Sequence, residues 1–141
     1  MMTYLLEILY EHALVIDFAM FVLIWVVQLI VYPVFRQIET GSFSAWHRSY
    51  CNKIGIFVLP LMVAQLIESA SACFFVGALL DWTKLSAVLC TWIATFFVSA
   101  PLHRRLAKHG KDQVLIGRLV STNWIRTFLW SGAFGVSFIN Y

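Results

Sequence analysis

Four long apolar runs dominate this sequence and restrict the folds open to it. The first covers residues 13–35 and is interrupted only by Asp17 and Gln28. A helix of about 20 apolar residues crosses the hydrocarbon layer of a bilayer. The runs therefore predict an all-α fold, an integral membrane four-helix up-down bundle formed by one domain of residues 1–141. The predicted spans are 13–35, 54–80, 85–102 and 119–140.

The composition excludes an ordinary soluble protein. Hydrophobic residues make up 61% of the chain and charged residues 12%, whereas soluble domains carry roughly 25% charged residues. The lipid bilayer is thus the predicted surrounding, and no nucleic-acid partner is expected. Three scattered cysteines, Cys51, Cys73 and Cys90, are too few for a disulfide framework and are interpreted as small packing residues.

The distribution of basic residues predicts an orientation. Every Lys and Arg except Lys84 falls in residues 36–53 or 103–126, and cytoplasmic connections are enriched in these residues. We therefore expect cytoplasmic connections at 36–53 and 103–118, with both termini periplasmic in a multi-pass protein of the bacterial inner (plasma) membrane. Residues 81–84 are predicted to form a short turn on the periplasmic side.

Two histidines are predicted to lie together at the cytoplasmic end. His47 precedes the second span and His103 follows the third, near Tyr50, Asn123 and Arg126. Their imidazoles are suited to binding a metal ion or haem, or to passing protons. The planar guanidinium of Arg126, helped by Arg104, is suited to pairing with a carboxylate or phosphate of a ligand. The alternative is a pair of interfacial histidines that bond only to headgroups, water or carbonyls.

Glu68 falls near the middle of the second predicted span. A carboxylate at that depth is costly, so it should face the interior and be protonated or paired. Gln65 lies one turn away, and Gln28 is expected at a similar level. Either this group relays protons or contacts a ligand, or Glu68 is a neutral acid satisfied by its neighbours. Asp17 and His12 are expected only to hydrate the outer surface.

Several motifs resemble those of a family of small bacterial four-span membrane proteins. They are Tyr32-Pro33-Val34-Phe35, Trp46-His47 with Tyr50, Pro101 to Leu106, and Asn123 to Thr127. The resemblance implies the four-span fold and no particular activity. The topology is also distantly similar to that of four-span protoporphyrinogen oxidase and of anthrone-oxygenase-like proteins, which handle flat aromatic substrates. That oxidase would place a histidine inside span one and a lysine inside span three, and neither stands in those interiors here.

We interpret the sequence as that of a membrane protein with a cytoplasm-facing polar pocket. The favoured function is a ligand- or cofactor-binding oxidoreductase that acts on a flat aromatic or quinone-like molecule, with haem, a metal ion or a quinone as possible cofactor. The alternatives are a structural or assembly subunit of a larger membrane complex, and a small proton-coupled transporter that forms a homodimer through Ser69, Cys73 and Gly77. The candidate catalytic residues are His47, Glu68 and His103. The two histidines are also the candidate metal ligands. The candidate ligand-binding residues are Gln28, Tyr50, Gln65, Arg104, Asn123 and Arg126.

Overall fold

The computed structural model describes residues 2–140, and the described chain is helical with no strand. Residues 1 and 141, the ends of the predicted domain, lie outside the described residues. The first helix is short, and the four that follow are long. Their bounds are α1 Met2–Glu11, α2 Ala13–Val34, α3 Thr40–Phe75, α4 Leu79–His109 and α5 Gln113–Asn140.

Three of these helices, α2, α3 and α4, are long and apolar enough to cross a membrane. This confirms the all-helical fold and the membrane-length segments predicted for that part of the chain. The fifth helix has 28 residues, but it is less apolar because it carries Asn123, Arg126, Thr127 and Ser137. These four side chains are buried.

Each long helix packs against two others. The second helix contacts α3 and α5, and α4 contacts the same two helices from the other side. Residues 35–39 join α2 to α3 and residues 110–112 join α4 to α5; we call the end of the molecule that carries these two connections the basic end. Residues 76–78 join α3 to α4 at the opposite end, where α1 packs against α3.

Two of the helices contain a π-helical turn just before a proline. The turns are Val27–Val31 in α2, ahead of Pro33, and Thr95–Ser99 in α4, ahead of Pro101. Proline donates no backbone hydrogen bond, and its ring clashes with the carbonyl four residues earlier. A wider turn accommodates both effects, so each helix continues through its proline. The predicted end of the third span near Pro101 is therefore followed by further helix to His109.

The turn between α3 and α4 lies earlier than predicted. Gly77 has φ of +70°, a conformation that glycine adopts without steric cost, and it reverses the chain after Phe75. The Asp81 carboxylate accepts the backbone N–H of Ala78 at 2.9 Å and so stabilises the start of α4. The prediction of a turn at 81–84 is wrong, because these residues form the first turns of a helix.

Helix also occupies most of the two segments predicted as connections, 36–53 and 103–118. The aromatic segment from Phe43 to Tyr50 belongs to α3, whose 36 residues give a length of about 54 Å against a hydrocarbon layer of about 30 Å. Gly110, with φ of +80°, ends α4. The Asp112 carboxylate accepts the backbone N–H groups of Val114 and Leu115, so α5 begins at Gln113, inside the predicted connection.

The molecule is apolar outside and partly polar inside. On α2, one outward stripe consists of Val15, Phe18, Val22, Val26 and Leu29, all exposed. The same helix turns Asp17 and Gln28 inward, where both are buried. This distribution suits a lipid surrounding, in which exposed apolar side chains are stable and polar groups need partners inside the protein.

Candidate functional site

The two predicted histidines meet at the basic end. Nε2 of His47, on α3, lies 3.0 Å from Nδ1 of His103, on α4. Nε2 of His103 in turn shares a 3.0 Å hydrogen bond with the hydroxyl of Tyr32, on α2. A bond between two imidazoles requires a lone pair on one of them, so both rings cannot be fully protonated in this arrangement. The three side chains form a hydrogen-bonded row across three helices.

Cys51 completes a triangle with the two histidines. Its Sγ lies 3.7 Å from Nε2 of His47 and 3.6 Å from Nδ1 of His103. The three side chains are close enough for their ligand atoms to share one metal ion. The sequence interpretation of Cys51 as a packing residue missed this contact, although its spacing of four from His47 places both on one helical face.

Aromatic rings surround this triangle. Phe43 stacks on His47 with ring centroids 5.4 Å apart, and Phe35 packs edge-on against the same histidine. Phe35, Phe43 and His47 are all fully buried. The rings restrict the orientations of the imidazoles and separate them from solvent, which strengthens polar interactions there.

Arg126 is a buried cation without a carboxylate partner. It is 8% exposed, and both ion pairs in residues 2–140 involve Lys84 instead. Its Cζ lies 5.2 Å from the centre of the Trp130 ring, a cation–π contact, and its Nε has no hydrogen-bond partner. An anionic or carbonyl-bearing ligand would supply the interaction that this guanidinium lacks in the described chain.

Gln28 belongs to this end of the molecule and does not join Glu68 as expected. Its Oε1 accepts a hydrogen bond from Nδ2 of Asn123 at 2.7 Å, and its Nε2 donates to the Val120 carbonyl at 3.2 Å. Asn123, a candidate ligand-binding residue, thus bonds to Gln28 inside the bundle. Gln28 lies in the π-helical turn of α2, and its side chain points toward α5.

A cavity of about 330 Å³ adjoins these groups. It lies among α2, α3, α4 and α5, and apolar side chains make up most of its wall. Leu59, which also lines it, is 52% exposed, so the cavity reaches the outer apolar surface of the bundle. The polar side chains that line it are Tyr32, Tyr50, Cys51, Thr95, Ser99, His103, Arg104 and Arg126.

One further unsatisfied polar atom lies beside the same cavity. Thr95, in the π-helical turn of α4, lines the cavity, and its buried Oγ1 has no hydrogen-bond partner. Buried polar atoms in proteins are nearly always hydrogen-bonded. The unsatisfied atoms of Thr95 and Arg126 therefore favour a cavity that holds a ligand or water rather than a packing defect.

A second polar cluster lies toward the opposite end, and of its members only Glu68 and Gln65 were predicted as buried polar residues. Nζ of Lys84 lies 2.7 Å from Oδ2 of Asp17 and 2.5 Å from Oε2 of Glu68, and all three residues are buried. Glu68 is thus paired, one of the two states predicted for it. The expectation that Asp17 only hydrates the surface is wrong, because Lys84 draws it into this ion network. His12, its companion in that prediction, is exposed.

Hydrogen bonds extend the ion network into the centre of the bundle. Gln65 donates to Asp17 at 2.5 Å and accepts the indole N–H of Trp130 at 2.9 Å. Ser137 donates to the other oxygen of the Asp17 carboxylate. Trp130 therefore contacts both clusters, through its N–H on one side and through its ring, beneath Arg126, on the other.

A second cavity, of about 250 Å³, reaches this ion network from the opposite end. Its lining includes Glu68 and Lys84, together with Glu11, Asp81 and Ser137. The two cavities have no lining residue in common. The ion network and the histidine cluster are therefore approached from different sides.

The predicted site residues divide between these clusters. His47, His103, Tyr50, Arg126 and Arg104 lie at or beside the basic-end cavity, with Arg104 exposed and Tyr50 half-buried. Gln65 and Glu68 belong to the ion network. The residues missed by sequence reasoning are Asp17, Tyr32, Cys51, Lys84, Trp130 and Ser137.

Two of the three residues suggested for a homodimer, Ser69 and Cys73 on α3, face the interior of this chain. Ser69 is fully buried and Cys73 is 8% exposed; the hydroxyl of Ser69 bonds to Glu68. Only Gly77 of the three is exposed. Ser69 and Cys73 are therefore buried within the chain, and Gly77 remains accessible.

The two basic connections lie against each other at the basic end. The Lys111 ammonium group donates to the carbonyls of Arg36, at 2.9 Å, and Ile38, at 2.5 Å. These bonds join the connection before α5 to the connection before α3. They hold together the ends of the helices that carry Tyr32, His47 and His103.

Comparison of the chain with protein families, with characterised proteins and with solved structures gives no match. The functional proposals below therefore depend on the site geometry alone.

Proposed function

We propose that the protein is a four-span, up-down helical bundle of the bacterial inner membrane that binds a flat aromatic or quinone-like molecule at its basic end. The apolar outer surface and the three membrane-length helices support insertion into a bilayer. The basic connections favour a cytoplasmic basic end, with the termini in the periplasm. In this orientation Lys84, the one basic residue outside those segments, belongs to the internal ion network.

The observation that carries the ligand proposal is that Arg126, beside an apolar cavity, has no carboxylate partner and an unsatisfied Nε in the described chain. A buried cation is destabilising unless it is paired. A quinone carbonyl or a ring carboxylate placed at the guanidinium would supply a charge-assisted hydrogen bond. The aromatic part of the molecule would occupy the apolar cavity, and the exposed Leu59 margin offers a route from the lipid phase.

The hydrogen-bonded row of Tyr32, His103 and His47 supports an oxidoreductase function. Reduction of a quinone adds two electrons and two protons, and its two carbonyl oxygens become hydroxyls. Histidine is suited to proton transfer near neutral pH. We propose that a reduced flavin or another hydride donor transfers two electrons together with one proton. Tyr32, which lines the cavity and is hydrogen-bonded to His103, passes on the second proton.

Binding of a short-chain quinone to the purified protein tests this function. Tryptophan fluorescence provides the signal, because Trp130 lines the cavity. Arg126→Gln should weaken binding at least about tenfold, the lower range for loss of a hydrogen bond to a charged group. Arg105→Gln is the matched control, since Arg105 is exposed and does not line this cavity. Equal affinity in both variants would contradict the proposal.

A second candidate function, proton-coupled transport, is supported by the ion network. Two carboxylates and one ammonium group are buried next to a cavity at the opposite end, and ionisable groups inside a membrane commonly mark proton paths. Proteoliposomes that contain a pH-sensitive dye test it. Glu68→Gln should abolish substrate-driven proton movement, and an unchanged dye response would exclude Glu68 as the coupling group.

A further inference from the structure

The triangle formed by His47, Cys51 and His103 has the dimensions of one face of a tetrahedral metal site. With metal–nitrogen bonds of about 2.05 Å and a metal–sulfur bond of about 2.3 Å, tetrahedral geometry requires about 3.3 Å between nitrogens and about 3.6 Å between nitrogen and sulfur. The corresponding distances here are 3.0 Å, 3.7 Å and 3.6 Å. To admit an ion, the two imidazoles must separate by a few tenths of an ångström. The His47 ring must also turn to direct its Nε2 lone pair at the ion, because its Nδ1 lies only 3.9 Å from Sγ of Cys51.

We propose that His47, Cys51 and His103 bind one borderline or soft transition-metal ion, Zn²⁺ or Cu⁺. Two imidazoles and a thiolate are ligands that these ions prefer over carboxylate and carbonyl oxygens. The ligands come from two helices, and His47 and Cys51 lie one turn apart on α3, so the helix itself sets their spacing. Ion binding replaces the His47–His103 hydrogen bond. It also removes the proton of the Cys51 thiol, and this proton is released to solvent.

The surrounding side chains suit this assignment. Metal-binding histidines usually donate their second ring N–H to another group, which fixes the tautomer. With the ion at Nδ1 of His103, the Nε2–H donates to the Tyr32 hydroxyl, which lies 3.0 Å away. The stacked ring of Phe43 and the edge of Phe35 hold His47 in place.

Three protein ligands leave the fourth position of a tetrahedral ion open, as in catalytic zinc sites. Cys51 and His103 both line the 330 Å³ cavity, so that position faces the space proposed for the organic ligand. There the ion would act as a Lewis acid on a carbonyl oxygen. The proposal of a metal site depends only on the three side chains. The proposal that the ion acts on the organic ligand rests on the proposed function.

Metal titration without any organic ligand tests the site. Chelator-treated protein in mild detergent is loaded with Zn²⁺, with Cu⁺ under reducing conditions, or with Co²⁺, whose thiolate complexes absorb in the near ultraviolet. We expect one ion per chain, and a Co²⁺–thiolate band that Zn²⁺ removes. Cys51→Ser, a nearly isosteric change, should abolish the band and weaken binding at least about tenfold, the lower limit for loss of even an outer-shell partner.

Matched controls separate this site from adventitious binding. Cys90→Ser and His109→Gln alter exposed residues of the same types and should retain the stoichiometry and the band. Tyr32→Phe should keep the stoichiometry but weaken affinity about 10- to 100-fold, since it removes only the partner of His103. Folded wild-type protein that binds none of the three ions, or a Cys51→Ser variant with wild-type affinity, would overturn the proposal.

Alkylation of Cys51 provides a second measurement that needs no variant. A metal-bound thiolate is withdrawn from reaction, so Zn²⁺ should slow maleimide modification of Cys51 and leave that of Cys90 unchanged, as read by peptide mass spectrometry. Equal rates at Cys51 with and without Zn²⁺ would contradict the site. Because no quinone is present in either experiment, failure here leaves the quinone-binding test untouched, and the converse also holds.

Discussion

The two polar clusters inside the bundle differ in how their charges are compensated. Toward the opposite end, Lys84 contacts two carboxylates, and Gln65, Ser69 and Ser137 donate hydrogen bonds to them. At the basic end, Arg126 has a Trp130 ring beneath it and no carboxylate within the described residues. Each charged group of the first cluster therefore contacts an opposite charge within the chain, whereas Arg126 contacts none. Buried charge can therefore serve stability in one region and binding in another.

Removal of Lys84 should have the largest effect on stability. Lys84→Met leaves two carboxylates buried without their cation, and breaking a buried ion pair in this way costs about 3–5 kcal/mol. The unfolding free energy in mixed micelles measures the loss. Lys108→Met, at an exposed position of the same helix, should change it by less than about 0.5 kcal/mol. Equal values for the two variants would show that the ion network contributes no stability.

Substitution of Trp130, which contacts both clusters, should have the second-largest effect on stability. Trp130→Phe removes the N–H that Gln65 accepts at 2.9 Å and leaves a buried acceptor unsatisfied, at a cost of about 1–3 kcal/mol. Trp82→Phe is the control, because Trp82 is exposed. A Trp130→Phe protein as stable as the control would show that Gln65 finds another donor.

Loss of the Tyr32 hydroxyl should have a smaller effect. Tyr32→Phe removes one hydrogen bond to His103 at a buried position, so we expect a loss of about 0.5–1.5 kcal/mol in unfolding free energy. The exposed Tyr10 provides the control Tyr10→Phe. A loss several times larger would mean that the hydroxyl supports the whole histidine row.

Removal of Arg126 should have the smallest effect on stability. Arg126→Met eliminates a buried charge that has no carboxylate partner, and apolar replacement of buried charges is often neutral or stabilising. We expect a change within about 1 kcal/mol in either direction, against the large loss in Lys84→Met. If Arg126→Met were as destabilising as Lys84→Met, the two clusters would not differ in the way described.

The helices and the meeting of the two histidines were predictable, whereas most of the ion network was not. Apolar runs indicate α2, α3 and α4 directly, and His47 and His103 flank spans at the same end. Lys84 was missed because the segment Asp-Trp-Thr-Lys resembles a polar turn. The turn lies earlier in the chain, at Gly77, and Asp81 caps the helix that carries Lys84. Asp17 pairs with residues far along the chain, and no local pattern reports such a contact.

Two further errors concern single residues. Gln28 was expected at the level of Glu68. It lies six residues from the basic end of α2, at Val34, whereas Glu68 lies seven residues from the opposite end of α3, at Phe75. Cys51 was interpreted as a packing residue from the composition alone. Its spacing of four residues from His47 indicates that both side chains lie on one helical face.

The unfolding free energy measured with and without a short-chain quinone tests the difference between the two clusters most directly. At a ligand concentration 100 times Kd, binding to the folded state alone adds about 2.7 kcal/mol. The account predicts this increase in the wild type and in Arg105→Gln. In Arg126→Met, an affinity at least about tenfold weaker limits the increase to about 1.4 kcal/mol or less at the same ligand concentration. No increase in the wild type, or the same increase in Arg126→Met, would contradict the assignment of Arg126 as the charge that a ligand completes.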